Sequence, residues 1–344
     1  MRSLFTPLLP DDYIELINPL WSTRELRGRI ERIQHETADA VTIVIRTGHQ
    51  WPGHRPGQYL RVGVVVDGVF HWRAYSLTSP PERGDGCISI TPKLVEAGKV
   101  TPYLVGKAKS GAVIRLGGVE GDFVLPDPLP EKMLFISAGS GITPIMSMLR
   151  HLAEQDELRD VVHVHSARTE DDVIFGRELR ALAERHEGFE VKLWLTGSRP
   201  RMTPADVDEL CPDWREREAF ISGPGELLDA MTERWDRDGD CDRLHMERFQ
   251  PKLGLAEEGE GGKIVFAASE KEVECDGSTP ILVAGENEGL DLPYGCREGI
   301  CHTCIGKLCE GQVRDLRNGK VVGSEGEMVR TCINAPEGRV VIEL

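Results

Sequence analysis

The 344-residue sequence has no run of roughly 18 apolar residues, the length a helix needs to span a bilayer. Its start, Met1 to Pro10, carries neither a long apolar core nor a small-residue cleavage site, so the sequence predicts a cytoplasmic protein. Positive charge is scarce: 41 Lys and Arg stand against 57 Asp and Glu, a formal net charge of −16. Such a chain repels phosphate backbones and has no basic stripe interleaved with aromatics, so nucleic acid is excluded as an expected partner. Low-complexity tracts are missing too, since the 37 glycines and 21 prolines are scattered as punctuation. No Ser-His-Asp, zinc-protease or paired-carboxylate constellation stands out, so acid, base and nucleophile chemistry is not indicated.

The length is enough for two or three domains with their own cores. Nine cysteines in a chain read as cytoplasmic point to metal or redox chemistry rather than to disulfides. Cys296, Cys301 and Cys304 follow a C-x4-C-x2-C spacing, with Cys332 as a distant fourth. This is the plant-type [2Fe-2S] pattern, in which one loop wraps the cluster and a remote strand end supplies the last thiolate. Gly295 and Gly299 free the loop backbone to turn N–H groups toward the sulfurs. A zinc ribbon would pair two C-x2-C knuckles and only one is present, while a Rieske centre would replace two thiolates by histidines. His302 is therefore expected near the cluster or on the surface, and Cys87, Cys211, Cys241, Cys275 and Cys309 receive no role. From Lys263 onward the β-rich runs Ile264–Ala267, Ile281–Ala284 and Val340–Ile342 suit a small β-grasp module.

Upstream, short β runs and turns from Leu26 to Leu125 suggest an antiparallel barrel. Within it the run Val69–Trp72 leads into Arg73-Ala74-Tyr75-Ser76. Then a buried-strand run, Met133 to Ser137, precedes Ala138-Gly139-Ser140-Gly141-Ile142-Thr143-Pro144 and an amphipathic stretch from Ile145 to Glu154. In this strand, glycine turn and helix, Gly139 and Gly141 let the backbone approach a pyrophosphate at the helix N-terminus, with Thr143 and Pro144 in the first turn. Strand-like runs Val161 to His165, Val191 to Leu195 and Ala219 to Ser222 then alternate with helical runs Phe175 to Arg185 and Glu226 to Trp235, the rhythm of a parallel sheet. Ser222-Gly223-Pro224 ends the last strand, where ligands sit in doubly wound sheets, although a plain helix-entry loop has the same look. Arg168 follows the second strand and either grips a nucleotide 2′-phosphate or pairs with Glu170, Asp171 or Asp172.

Taken together, R-x-Y-S, G-x-G-x-x-P, S-G-P and C-x4-C-x2-C resemble the ferredoxin-NADP reductase superfamily, in the branch with a C-terminal [2Fe-2S] domain. Oxygenase and desaturase reductases look like this, and the segment from Tyr13 to Ile30 is most similar to the reductase partners of acyl-CoA desaturases. The resemblance implies a multidomain fold: an antiparallel β-barrel flavin domain, an α/β parallel-sheet nucleotide domain and a β-grasp ferredoxin domain. It implies FAD rather than FMN, NADPH rather than NADH, and Arg73 on the flavin phosphate, Tyr75 stacked on the isoalloxazine and Ser76 near its N5. Tyr75 and Ser76 are thus the residues expected at the reacting atoms, with Gly98, Val100 and Thr101 adding N–H and hydroxyl contacts to the phosphates. The family usually has cysteine where Ser222 stands.

The expected division is an N-terminal extension (1–25), flavin barrel (26–128), nucleotide domain (129–250), flexible linker (251–262) and ferredoxin domain (263–344). About 17 acidic and 10 basic side chains in residues 252–344 favour a basic docking partner. The expected function is an NAD(P)H-dependent reductase passing single electrons to a desaturase, a hydroxylase or a cytochrome P450. The apolar N-terminal residues Leu8 to Trp21 either meet a membrane-bound acceptor or pack on their own protein. A redox sensor and a stand-alone diaphorase are the rival readings.

Overall fold

The computed structural model describes residues 10–66, 68–94, 99–249, 259–290, 292–294, 299 and 302–344. They divide after Arg248 into two compact units, with residues 67–74 grouped with the second.

After a short helix, α1 (Pro10–Ile17), come β1 (Arg27–His35), β2 (Val41–Thr47), β3 (Tyr59–Val66), β4 (Val69–Ser76), β5 (Cys87–Ile90), α2 (Val100–Gly106) and β6 (Val113–Glu120). These strands form a sheet in the order β4-β3-β6-β1-β2-β5. Leu77, just past β4, bridges Ile90 of β5, so the two edges meet and the sheet closes as the expected barrel. Its strands are rich in Ile and Val, which suit a pleated, half-buried surface. Ile30, Ile43, Leu60 and Ile90 fill the interior, and α2 plugs it with Val100 and Leu104. The N-terminal segment is clamped to β1 by Glu15, which pairs with Arg27 at 2.9 Å and accepts from the Ser22 hydroxyl at 2.8 Å. Leu20 is buried, whereas Leu16 and Ile17 stay about three-quarters exposed, at 78% and 77%.

The nucleotide sheet is built from β7 (Met133–Ala138), β8 (Val161–Ala167), β9 (Phe189–Leu195), β10 (Glu218–Ser222) and β11 (Leu244–Glu247). All pairs are parallel, in the order β11-β10-β7-β8-β9. Helices α3 (Ile142–Glu154), α4 (Gly176–Arg185), α5 (Pro204–Leu210) and α6 (Gly225–Asp238) complete it. Met133, Phe135 and Phe220 face α3, while Leu134, Ile136 and Ile221 face Trp214, Trp235 and α6. Burial on both faces explains the unbroken apolar runs in the sequence. Strand order reverses between β7 and β10, the switch point at which such sheets bind ligands.

The second unit contains β12 (Gly259–Phe266), β13 (Lys271–Gly277), α7 (Ile281–Asn287), β14 (Ile305–Asp315), β15 (Val321–Val322), β16 (Met328–Arg330) and β17 (Asn334–Glu343). Its order is β13-β12-β17-β14-β15 with β16 on β14, and the central β12/β17 pair is parallel amid antiparallel neighbours. That is the β-grasp arrangement, with α7 packed on the sheet's core.

Two expectations are corrected. Ile281–Ala284 is helix, not strand: four apolar residues carry no period, Pro280 caps the helix, and Ile281, Leu282, Ala284 and Gly285 are buried. Of the expected linker 251–262, residues 251–258 lie outside the described residues, but Gly259–Gly262 belong to β12. A bulge there gives Gly261 and Gly262 positive φ, and a Cβ on Gly262 would sit 1.9 Å from the Gly338 carbonyl, so packing rather than slackness demands glycine.

Candidate flavin, nucleotide and iron-sulfur sites

β4 delivers Arg73, Ala74, Tyr75 and Ser76 in alternation, so Tyr75 and Ser76 point to opposite faces. Ser76 is buried, and the half-buried Tyr75 packs against the barrel core. Its hydroxyl shares a 2.7 Å hydrogen bond with the buried Thr101 hydroxyl in the first turn of α2. Two sequence motifs 26 residues apart are thereby joined, and the phenol ring is fixed at its far end. Val100 points into the core, which leaves its backbone for any contact, and Gly98 lies outside the described residues.

The residues that follow tie this strand to the nucleotide domain. The Ser79 carbonyl accepts from the Ser147 hydroxyl of α3 at 2.7 Å and is 3.0 Å from His54 Nε2. The Thr78 carbonyl accepts from Arg150 at 2.6 Å, and Glu178 of α4 grips that guanidinium with two bonds of 2.8 and 2.7 Å. Helix α3 and its glycine turn are thus set against the flavin strand. Sequence reasoning missed Ser147, Arg150 and Glu178 because no local pattern distinguishes a tertiary pair.

In the glycine turn the two glycines do different jobs. A Cβ on Gly141 would lie 2.1 Å from the Ser222 carbonyl, so the switch-point crevice closes only around glycine. Gly139 has φ +55 and nothing within 4 Å of its Cβ position, so its face is open. Thr143 and Pro144 are buried, the Thr143 hydroxyl donating to the Ser140 carbonyl at 2.9 Å, and so they shape the turn from within. Beside Gly139 lies a cavity of about 270 Å³, lined also by Ser166, Arg168, Asp172 and, from the barrel, Lys93 and Asp39. Arg168 is exposed there, and no ion pair to Glu170, Asp171 or Asp172 forms; Asp172 instead caps Thr169 at 2.8 and 3.1 Å. Lys93 pairs with Asp39 at 3.3 Å.

At the carboxyl ends of the strands a polar row crosses the sheet: Ser222 on β10, Ser137 on β7 and His165 on β8, in register. The Ser137 hydroxyl lies 2.7 Å from His165 Nδ1 and 2.8 Å from Nε2 of His163. All four side chains are fully buried. Burial holds both imidazoles neutral, His165 down to about 3 with help from the Lys93 charge, and His163 well below its usual value. The Ser222 hydroxyl, His163 Nδ1 and His165 Nε2 have no partner among the described residues. Gly223 and Pro224 beyond Ser222 are less buried and open the way into α6.

In the second unit Cys304 and Cys332 are described and buried, while Cys296 and Cys301 lie outside the described residues. Thr331 ties the two together, its N–H and hydroxyl both donating to the Cys304 carbonyl, at 3.1 and 2.8 Å. The Gly299 N–H donates to Cys332 Sγ at 3.3 Å. Gly299 has φ +73, and a Cβ there would strike the Ile333 side chain at 2.5 Å. An N–H directed at a buried sulfur fits a thiolate ligand of an iron-sulfur cluster, which needs such donors to offset its charge. Elsewhere burial pushes the Cys211 thiol up to about 12 and the Cys275 thiol up to about 11, so these are protonated and inert. His302 is exposed, with φ +59.

An antiparallel flavin barrel, a parallel nucleotide sheet and a β-grasp iron-sulfur domain on one chain define a class of modular reductases. Family models agree region by region: an oxidoreductase FAD-binding domain matches residues 28–125, an oxidoreductase NAD-binding domain 135–222, and a 2Fe-2S iron-sulfur cluster binding domain 265–337. The chain belongs to the ferredoxin-NADP reductase superfamily, in its branch with a C-terminal [2Fe-2S] domain. It is 45% identical to an NADPH oxidoreductase of Mycobacterium tuberculosis over 98% of this chain and 90% of that protein. It is 31% identical to the stachydrine N-demethylase reductase subunit Stc4 of Rhizobium meliloti, over 84% and 88%. Phthalate dioxygenase reductase shares the fold, with a TM-score of 0.62 over 92% of this chain and 97% of that one at 20% identity. The protein is therefore an oxidoreductase that uses NAD(P)H, FAD and a [2Fe-2S] cluster. Among the described residues no helix is long and apolar enough to cross a membrane.

Proposed function

We propose that this chain is the NADPH-oxidising reductase component of a separate oxygen-activating enzyme, an oxygenase or a fatty acyl desaturase. When bound, FAD would supply acceptance of one hydride, a two-electron equivalent, and its release as single electrons, and the cluster would supply one-electron carriage. The protein's part is to hold and orient. Arg73, Gly98, Val100 and Thr101 hold the flavin phosphates, Tyr75 stacks on the ring, and Ser76 hydrogen-bonds at the reacting edge. Gly139 and Gly141 admit the pyrophosphate, and Ser222, Gly223 and Pro224 border the nicotinamide end. Cys296, Cys301, Cys304 and Cys332 hold the cluster. The domains fall at 26–128, 129–250 and, with β12 included, 259–344.

The observation that carries the choice of NADPH is the exposed Arg168 guanidinium, which pairs with no carboxylate among the described residues, at the rim of the cavity that contains Gly139. A fork of N–H donors there suits a 2′-phosphate. Support for an oxygenase acceptor comes from relatives named as reductase subunits of a stachydrine N-demethylase and of glycine betaine monooxygenase, each 31% identical. Support for a desaturase is the likeness of the N-terminal segment, whose exposed Leu16, Ile17 and Trp21 offer apolar contact to a membrane-bound partner. Anaerobic titration with NADPH and then NADH tests the reading: both flavin and cluster bands should bleach, and NADPH should act at the lower concentration. Arg168→Gln should raise the KM for NADPH roughly 10- to 100-fold, the loss of one charged hydrogen-bonding pair, and leave that for NADH unchanged. Equal loss with both nucleotides would remove Arg168 from the 2′-phosphate.

A further inference from the structure

The residues just past the flavin strand sit in the barrel without slack. The Thr78 N–H donates to the Ser89 carbonyl at 2.8 Å, the Thr78 and Ser89 hydroxyls share a 2.8 Å bond, and the Ser89 N–H donates to the Ser79 hydroxyl at 3.0 Å. Thr78 and Ser79 are fully buried, so their carbonyls need donors from within the protein. Helix α3 supplies a donor to each. Ser147 and Arg150, three positions apart and so on one face of the helix, donate to the Ser79 and Thr78 carbonyls at 2.7 and 2.6 Å. The path is short on both sides of these bonds. Ser79 lies three residues past Ser76, a span of at most about 10 Å, and Ser147 lies six residues along α3 from Gly141, about 9 Å. Along the covalent chain the same two points are separated by the rest of the barrel.

The Arg150 end is built more heavily than a carbonyl contact needs. Glu178 takes two of the guanidinium's bonds, which fixes its plane, and the Phe175 ring centre lies 4.9 Å from its central carbon. Phe175 is buried at the entry to α4 with φ +62, a left-handed conformation that is costly for a bulky side chain. The fold sustains that strain at the point where the ring meets the guanidinium.

We propose that Arg150, held by Glu178 and Phe175, is a positioning residue for hydride transfer, fixing with Ser147 the distance from the flavin edge at Ser76 to the nucleotide turn at Gly139 and Gly141. The inference rests on Ser76 lying at the flavin's reacting edge and on the glycine turn admitting the nucleotide. In the transfer the C–H bond at C4 of the dihydronicotinamide breaks and an N–H bond forms at flavin N5. Both electrons travel with the hydrogen, so the nucleotide is oxidised and the flavin reduced by one pair. Such a step depends steeply on how the two atoms approach, and a displacement of about 1 Å costs on the order of 100-fold in rate. Without the guanidinium, Glu178 and the buried Thr78 carbonyl lose this partner, and α3 is free to shift against the strand.

The test is anaerobic stopped-flow reduction of the full-length holoprotein by NADPH, with nucleotide binding followed separately by the change that NADP+ makes in the oxidised flavin spectrum. In Arg150→Met the rate constant for flavin reduction at saturating NADPH should fall at least about tenfold, while the Kd for NADP+ stays within about twofold. The charge-transfer band of reduced flavin against NADP+ should weaken, a readout that needs no turnover. In the double variant with Glu178→Gln the loss should equal that of Arg150→Met alone, because Glu178 acts through the guanidinium. A merely structural role would lower the melting temperature or the flavin content and leave the rate constant per bound flavin, and the band, as in the wild type; that result overturns the proposal. If Arg150→Met does not retain flavin, Ser147→Ala, which removes the companion bond, takes its place, and an unmoved rate constant there overturns it equally. Unchanged flavin reduction in Ser76→Ala would instead overturn the flavin placement beneath it.

Discussion

The nucleotide crevice and the cluster site both use a glycine at positive φ, yet they are prepared in opposite ways. At the crevice the buried polar groups are uncharged and several are unsatisfied: the Ser222 hydroxyl and one nitrogen of each imidazole have no partner among the described residues, and Gly139 faces open space. At the cluster the Cys332 sulfur already has its donor from Gly299, the Cys304 carbonyl is doubly bonded by Thr331, and the glycine is packed against Ile333. A site for a ligand that arrives and leaves is left incomplete. A site for a resident group is finished around it.

The sharpest way to break this contrast is to fill one tightly packed glycine at each site, Gly299 and Gly141. Gly299→Val would collide with Ile333 in a backbone conformation that valine avoids, and we expect loss of cluster absorbance and iron while flavin and nucleotide binding persist. Gly141→Ala pushes a methyl group into the Ser222 carbonyl, and should destabilise the nucleotide domain by at least about 3 kcal/mol. Fluorescence of the buried Trp214–Trp235 pair would report a melting point lower by roughly 6–12 °C, with the cluster spectrum unchanged. An unshifted melting point would show that the crevice is looser than its geometry.

Acid should separate the two regions next. His163 and His165 have depressed values in the folded state, so below pH 6.5 the unfolded chain binds protons that the folded chain refuses. The stabilising contribution of His165 is whole above pH 6.5 and drains away as pH falls toward about 3, by about 1.4 kcal/mol per pH unit, and His163 acts in the same direction. Urea midpoints read from tryptophan fluorescence should fall with that slope, and a variant with both histidines replaced by leucine should flatten it. A slope unchanged in that variant would sink the account. The smallest effect belongs to the flavin strand, where Thr101→Val removes the hydroxyl bond between Tyr75 and Thr101. Flavin affinity should weaken several-fold, about 1 kcal/mol, as measured by flavin release on dilution.

Much of this was legible in the sequence because local chemistry has local signatures. The C-x4-C-x2-C spacing, the R-x-Y-S strand and the glycine turn each advertise a ligand through residue types at fixed offsets, and unbroken apolar runs announced a sheet buried on both faces. What escaped reading was of another kind. α5 is a seven-residue helix, its start marked by the Thr203–Asp206 capping box, and the sequence reading passed over it. Ile281–Ala284 is too short for its period to tell helix from strand. The glycines at 259–262 have the composition of a tether but are held in place by strand pairing. The Ser137–His163–His165 cluster and the Arg150–Glu178 clamp join residues 26 to 28 positions apart, and only the register of the folded sheet and the packing of its helices bring them together.

That histidine cluster has a logical property of its own. Ser137 has one hydroxyl proton between two neutral rings, and it makes no third bond among the described residues. If its proton goes to one ring it must accept from the other, and each neutral ring carries a single N–H. The two unpartnered nitrogens, one on His163 and one on His165, are then always of opposite sense, one offering a proton and one seeking it. Reversing either end reverses both. A group that approaches His165 and demands a donor or an acceptor would therefore rewrite the protonation pattern at His163, two positions back along β8, with no backbone atom moving.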